Sequence, residues 1–165
     1  MSRKFLLLIP LLFCLAALAH ETLVPVAYAG FVDAQAAYDR GDYATAYKEF
    51  KALAEQGNAE AQNNLGIMYE YGRGVPEDDT EAAKWFLKAA EQGNRFAQLS
   101  LGIMYECGAG VPQDYVLAYM WLNLAAAQDS AGAEKERDSV AEKMTPAQIA
   151  EAQRLATEWK PEAQH

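Results

Sequence analysis

The chain has 165 residues, of which 52 % are hydrophobic and 22 % are charged, and its formal net charge is −9. This composition is typical of one folded domain and excludes a disordered chain. The acidic excess repels phosphate backbones and anionic lipid surfaces, so nucleic acid and membranes are poor candidates for a partner. Such an excess also keeps an exported protein soluble.

Residues 1–29 have the pattern of a secretory signal peptide. A short basic start precedes 15 uninterrupted apolar residues, 5–19, which are too few to span a bilayer of about 30 Å comfortably. Small residues then offer two cleavage positions, after Ala19 and after Ala29. We expect this segment to be removed on export, leaving a mature domain, 30–165, without stable membrane insertion.

A period of 36 residues runs through the middle of the chain. The segment LGIMYEYGRGVP at 65–76 returns as LGIMYECGAGVP at 101–112. A fixed period of this size is typical of a solenoid, in which successive supersecondary units stack. The residues of the repeat signature are Leu65, Gly66, Tyr69, Gly74, Ala82 and Trp85 and, 36 positions later, Leu101, Gly102, Tyr105, Gly110, Ala118 and Trp121.

Each unit contains the signals for two helices. Asn58 is a suitable N-cap for a first helix, and Asp78 with Glu81 forms a capping box for a second. Thr145 and Gln148 repeat this pattern in the last helix. These signals predict eight helices, paired as antiparallel hairpins, in units at about 30–57, 58–93 and 94–129 with a closing helix pair at 130–160.

The glycine-rich loops Gly72-Arg73-Gly74 and 108–110 have the composition of phosphate-binding loops. They lack the further glycine of a dinucleotide fingerprint and the Lys-Ser/Thr of a P-loop, and they follow a helix instead of a strand. We therefore predict helix ends, with Gly72 and Gly108 in the left-handed conformation. Gly66 lies within a helix at a cost of about 1 kcal/mol relative to Ala, so we expect close backbone approach by a neighbouring helix.

Residue types that support catalysis or metal binding are scarce. His20 lies near the cleavage positions and His165 ends the chain, so neither is expected in a rigid site. Cys107 is the single cysteine of the expected mature chain, and we interpret it as a small residue at a helix end and not as a nucleophile. A free thiol at this position also allows an intermolecular disulfide. No Ser-x-x-Lys or Gly-x-Ser-x-Gly motif occurs. We predict no catalytic residue, no metal site and no cofactor.

Residues 54–85 resemble the Sel-one-like repeat, a relative of the tetratricopeptide repeat, at nearly every position of the family pattern, and residues 90–121 resemble it again. The resemblance implies an all-α fold, a right-handed α-solenoid of antiparallel helix pairs with about four hairpins. It also implies a role in protein–protein contact, without a catalytic residue common to the family. Exported bacterial members often bind envelope or host proteins.

A second face of the first helices is the candidate partner-binding surface, on the concave side of the solenoid. Its apolar side chains stand where solvent is otherwise expected, and the mixture with polar residues suits an extended peptide or a partner helix. The alternative is that neighbouring first helices pack on these residues and cover them. The predicted surface consists of Asn63, Ile67, Glu70, Leu99, Ile103 and Glu106.

We therefore expect a non-enzymatic repeat scaffold in the periplasm of a Gram-negative bacterium or secreted from it, which binds a protein or peptide partner. Two alternatives stay open. One is a β-lactamase-like cell-envelope hydrolase on the same scaffold, because a cysteine-rich branch of the family has been linked with penicillin binding. The other is a structural adaptor that binds by its convex face.

Overall fold

The computed structural model describes residues 26–130 and 132–161, with side-chain exposure from residue 29 onward. Within these ranges the regular structure is entirely helical, which confirms the all-α class. Eight helices are present there, as the sequence predicts. They are α1 (Val26–Asp39), α2 (Tyr43–Glu55), α3 (Ala59–Glu70), α4 (Asp79–Glu91), α5 (Arg95–Cys107), α6 (Tyr115–Ala126), α7 (Ala133–Ala141) and α8 (Pro146–Glu158).

Most helices pack on their neighbours in sequence. Helices α1 and α2, α3 and α4, and α5 and α6 form three hairpins, and contacts of α2 with α3 and of α4 with α5 join one hairpin to the next. Nearest-neighbour packing of this kind characterises a solenoid. We call α1, α3, α5 and α7 the first helices and α2, α4, α6 and α8 the second helices.

The closing helix pair departs from this order. Helices α7 and α8 both pack mainly on α6, and less on each other. Trp159, directly after α8, lies edge-on to Trp121 of α6 with ring centroids 6.2 Å apart. Ala156 of α8 belongs to the same buried cluster as Phe86 of α4. Helix α8 therefore covers part of the second-helix side of the preceding units.

The capping residues chosen from the sequence mark the helix starts. Thr145 and Gln148 make both hydrogen bonds of a capping box. Asp78 caps α4, since its Oδ1 accepts a hydrogen bond from the main-chain N–H of Glu81 at 3.0 Å. The Glu81 carboxylate pairs with Lys84, with Oε1 2.5 Å from Nζ. Only one half of the expected capping box is therefore formed at α4.

The helix glycines allow the two helices of one hairpin to approach closely. A β-carbon placed on Gly66 would lie 2.7 Å from the ring of Phe86, and one on Gly102 would lie 2.7 Å from Cγ of Leu122. The main-chain oxygen of Ala118 would be 3.2 Å from that second β-carbon. The expected backbone approach is thus found at Gly102, whereas at Gly66 the nearest group is an aromatic side chain.

The repeat signature forms much of the core. Its leucines, alanines and helix glycines are buried, whereas both tyrosines and Trp85 are partly exposed. The two loop glycines are also accessible, since Gly74 is exposed and Gly110 is partly exposed. The ammonium of Lys88 lies 4.1 Å from the ring centroid of Trp85, so this tryptophan is shielded by a lysine and is not enclosed by the core. The buried members are Leu65, Gly66, Ala82, Leu101, Gly102, Ala118 and Trp121.

Buried glutamines connect successive units. Nε2 of Gln98 donates to the main-chain oxygen of Ala90 at 3.2 Å, and its Oε1 accepts from Nε2 of Gln128 at 2.9 Å. Gln62 makes the equivalent bonds one unit earlier, at 3.1 and 2.6 Å. Because a buried amide needs partners for its polar atoms, this arrangement fixes where the units meet.

Helix α1 begins at Val26, four residues before the expected start of the mature domain at residue 30. The boundary of the mature domain stays a prediction. The apolar part of the predicted signal segment lies outside the described residues, so the segment and its cleavage positions stay predictions. No helix in the described part of the chain is long and apolar enough to cross a membrane.

Candidate partner-binding surface

The glycine-rich loops join adjacent units. Gly72 and Gly108 are left-handed, with φ of 62° and 73°, as predicted. Gly74 is also left-handed, with φ of 78°, and a β-carbon there would overlap the main-chain carbonyl of Tyr43 at the start of α2. The loops are thus both helix ends and contacts between units.

Arg73, between the two glycines of the first loop, lies among three tyrosines of the first two units. Its guanidinium carbon is 5.4, 5.7 and 5.2 Å from the ring centroids of Tyr38, Tyr43 and Tyr71. It also donates a hydrogen bond to the hydroxyl of Tyr38. Ala109 stands at the equivalent position of the next loop, so this aromatic cage is specific to the first junction.

Neighbouring elements cover two residues of the predicted surface. Leu99 is partly buried and packs on the cluster of Ala125, Ala126 and Ala133. The side chain of Glu106 is only 12 % exposed. Its Oε1 accepts a hydrogen bond from Nζ of Lys143, which follows α7, at 2.7 Å. These two positions are therefore shielded by the closing helices.

Two further residues of the predicted surface lie largely inside. Asn63 is 5 % exposed, and its buried Oδ1 has no hydrogen-bond partner among the described residues. Ile67 is partly buried and packs on the cluster that contains Leu101 and Met104 of α5. Asn63 is thus enclosed, and only part of the Ile67 side chain is accessible to a partner.

Ile103 and Glu70 are the two predicted residues that keep a free surface. Ile103 is 38 % exposed and lies outside the apolar clusters of the described chain. Glu70 is half-buried and makes no hydrogen bond or ion pair with any described residue. Burial, together with the nearby carboxylate of Asp79, raises the pKa of Glu70 above its ordinary value. A half-buried carboxylate without a counterion costs free energy.

Two exposed apolar side chains on first helices, Val32 and Phe96, are not among the residues of the predicted surface. Phe96 lies seven residues before Ile103, two helical turns away, and so on the same side of α5. That spacing was visible in the sequence. The 36-residue period does not identify Val32 as a surface residue. The first unit has a shorter loop, which shifts its first helix out of that register.

We call the surface formed by Val32, Ile67, Glu70, Phe96 and Ile103 the first-helix face. The large apolar side chains exposed in the described chain lie on first helices or directly after one of them, and on no second helix. They are Val32 at 47 %, Tyr71 at 59 %, Phe96 at 48 % and Ile103 at 38 %.

Metal-binding residue types do not cluster in the described ranges. Cys107 is exposed and free. No group of three or more His, Cys, Asp or Glu in those ranges has a geometry that could hold a metal ion. His20 and His165 lie outside the described residues. The predicted lack of a catalytic residue and of a cofactor stays a prediction.

Comparisons with known proteins identify the repeat. The family model for the Sel1 repeat matches residues 59–94 and 95–130. A solved structure of c5321, described as a protective antigen of uropathogenic Escherichia coli strains with an SLR fold, is 33 % identical with a TM-score of 0.77. A Sel1 repeat protein from Oxalobacter formigenes is 31 % identical with a TM-score of 0.65. These matches cover 81 % and 79 % of this chain but 29 % and 56 % of the solved chains.

Two curated mammalian proteins match over a shorter stretch. DAP3-binding cell death enhancer 1 from Rattus norvegicus and from Mus musculus are each 43 % identical over 42 residues, which is 26 % of this chain and 8 % of theirs. The shared segment is therefore about one repeat long. Together with the helix order and the solved structures, the two matched repeats make this chain a Sel1-like repeat (SLR) protein of the tetratricopeptide-like superfamily.

Proposed function

We propose that this chain is an exported, non-enzymatic scaffold that binds a protein partner through its first-helix face. Sel1 repeats are in general scaffolds for protein interaction, and this chain carries two of them. Export, the lack of catalysis and the choice of face are the parts that we add.

The distribution of exposed apolar side chains carries the choice of face. Val32, Phe96 and Ile103 expose apolar surface on first helices, while the described second helices expose no large apolar side chain. Exposed apolar patches on a folded protein mark sites of interaction. The second-helix side is moreover partly covered by α8 through Trp159 and Ala156, which disfavours binding by the convex side.

The basic and apolar start of the chain supports export to the periplasm or beyond it. The description of the similar protein c5321 as a protective antigen also favours export. Export is tested by N-terminal sequencing of the protein from the periplasmic fraction. A new N-terminus at His20 or Gly30 supports the proposal, and an intact chain confined to the cytoplasm contradicts it.

The proposed face is tested with a pair of charge substitutions. Ile103→Asp places a carboxylate on the first-helix face, whereas Ala52→Asp places the same charge on the exposed side of α2. Both variants should keep the helical circular dichroism of the wild type. Crosslinking in the periplasm, read by mass spectrometry, should recover the partner with Ala52→Asp and lose it with Ile103→Asp. Equal recovery with both variants would exclude the first-helix face.

The hydrolase alternative is addressed by a separate assay. The purified protein is incubated with β-lactam and peptidoglycan substrates. We expect no turnover above that of buffer. Turnover that is saturable in substrate and proportional to protein concentration would contradict the non-enzymatic part of the proposal.

A further inference from the structure

A glutamate of the third unit, Glu106, binds a lysine of the same chain. Glu106 lies near the end of α5, with its Oε1 2.7 Å from Nζ of Lys143. The same ammonium is 6.0 Å from the ring centroid of Tyr115, the first residue of α6. The exposed ammonium of Lys143 thus contacts a carboxylate and lies near an aromatic ring of the third unit, and this lysine comes from the chain that follows.

Glu70 is the equivalent glutamate of the second unit, 36 residues earlier. The described part of the chain supplies no cation there, because Cys107 ends α5 and Gly108 follows it, whereas Lys143 follows α7. At the position equivalent to Tyr115 stands Asp79, the first residue of α4. The second unit therefore has the carboxylate of Glu70 near that of Asp79, and no lysine of the described chain pairs with Glu70.

The surroundings of Glu70 favour an incoming cation. The side chain is half-buried without a hydrogen bond or ion pair in the described part of the chain, and Asp79 adds a like charge. An ammonium or guanidinium beside both carboxylates would relieve this repulsion and form charge-assisted hydrogen bonds. The net charge of −9 would also attract a basic segment from a distance.

Apolar side chains lie on the same helix as Glu70 and on the next first helix. Ile67 lies one helical turn before Glu70, and Ile103 occupies the equivalent position on the next first helix, where it is 38 % exposed. A segment that presents only basic residues would leave this apolar surface in water. A basic residue followed closely by an apolar one would satisfy both features.

We infer that the first-helix face takes a protein segment whose lysine or arginine lies between Glu70 and Asp79 and whose neighbouring apolar side chain lies on Ile103. This inference rests on the proposed function, and it adds the chemistry of the partner. The occupant is a basic and apolar peptide segment of another protein.

The inference is tested by selection from a random dodecapeptide display library on the purified protein. Selected peptides should be enriched in lysine or arginine next to an apolar residue. Their affinity should fall about tenfold or more for Glu70→Gln, which corresponds to the loss of one charge-assisted contact. Glu55→Gln, which removes an exposed carboxylate at the end of α2, is the matched control and should leave the affinity unchanged.

A spectroscopic measurement supplies a second readout. Carbon NMR of the Glu70 carboxyl group, with and without a selected peptide, reports its pKa directly. Peptide binding should lower the pKa of Glu70, because the incoming cation stabilises the carboxylate. A peptide in which the lysine is acetylated should bind at least tenfold more weakly and leave that pKa unchanged.

The outcomes separate this inference from the proposed function. Peptides that lose binding with Ile103→Asp but lack basic residues, or that bind Glu70→Gln as well as Glu55→Gln, would overturn the inference and leave the face intact. Basic peptides that bind Ile103→Asp as well as wild type would show general attraction to an acidic protein and overturn both. If no peptide binds the wild-type protein more strongly than it binds a Glu70→Gln/Ile103→Asp double variant, the result also counts against both the inference and the proposed face.

Discussion

Gly110 lies against the main chain of Asp79, so that a β-carbon on Gly110 would overlap the Asp79 carbonyl. Gly74 has the same relationship with Tyr43 one unit earlier. In both cases a loop of one unit rests on the first turn of the second helix in the unit before it. The second glycine of each Gly-x-Gly loop is thus required by close contact between repeats.

Replacing Gly74 by Ala should destabilise the protein more than replacing Gly41. Both glycines are left-handed, with φ of 78° and 79°, so each alanine pays a similar backbone cost of about 1–2 kcal/mol. Gly41 has open space around it, whereas an alanine at Gly74 also meets the Tyr43 carbonyl, which we expect to add about 1–3 kcal/mol. Urea denaturation of both variants measures the difference in free energy of unfolding. Equal losses would mean that the loop contact carries no energy.

Replacing Arg73 should loosen the first unit selectively. Its guanidinium contacts rings from α1, from α2 and from its own loop, so it ties the first hairpin to the second. Arg73→Lys keeps the charge but loses the planar contact, so stability should fall in the order wild type, Arg73→Lys, Arg73→Ala. In the Arg73 variants, amide hydrogen exchange should become faster than in wild type in α1 and should change less in α5. Arg40→Ala, an exposed arginine nearby, serves as the control, and a uniform change over all helices would argue against a local tie.

Replacing Gln98 by Met should cost about 1–3 kcal/mol at nearly constant volume, because the buried carbonyl of Ala90 and the amide of Gln128 each lose a partner. Gln56→Met is the control, since Gln56 is exposed and donates to its own helix. Its cost should stay within about 0.5 kcal/mol. Thermal and urea unfolding measure both, and a loss for Gln98→Met no larger than the control would dismiss the glutamine link between units.

Glu70→Gln should stabilise the protein at neutral pH. The raised pKa of Glu70 means that the folded state favours the protonated form, so the stability linked to this proton is present in acid and is lost as pH rises through the raised pKa. Glutamine cannot ionise and avoids that loss. The melting temperature of Glu70→Gln should exceed that of wild type at pH 7, and the two should converge below about pH 4. A lower melting temperature at pH 7 would indicate that Glu70 has a counterion after all.

The sequence was sufficient for the architecture because local signals and the 36-residue period agreed. The capping residues Thr145 and Gln148 and the left-handed Gly72 follow from short-range rules that act within a few residues. The same rules explain why the helix order could be predicted without any knowledge of tertiary contacts.

The candidate surface was harder to predict because exposure depends on distant parts of the chain. Leu99 and Glu106 are shielded by α7 and Lys143, which follow after the repeat register has faded. Asn63 has a polar side chain and is nevertheless enclosed. Only the packing of successive units decides which residues of a first helix stay in contact with water.

Site-specific photo-crosslinking tests most directly whether a partner docks on the first-helix face. A photoreactive phenylalanine analogue is introduced at position 103 in one strain and at position 52 on α2 in another. We expect a crosslink to one protein from position 103, which is lost in the presence of a competing basic and apolar peptide, and no such crosslink from position 52. A partner captured from position 52 but not from position 103 would contradict docking on this face.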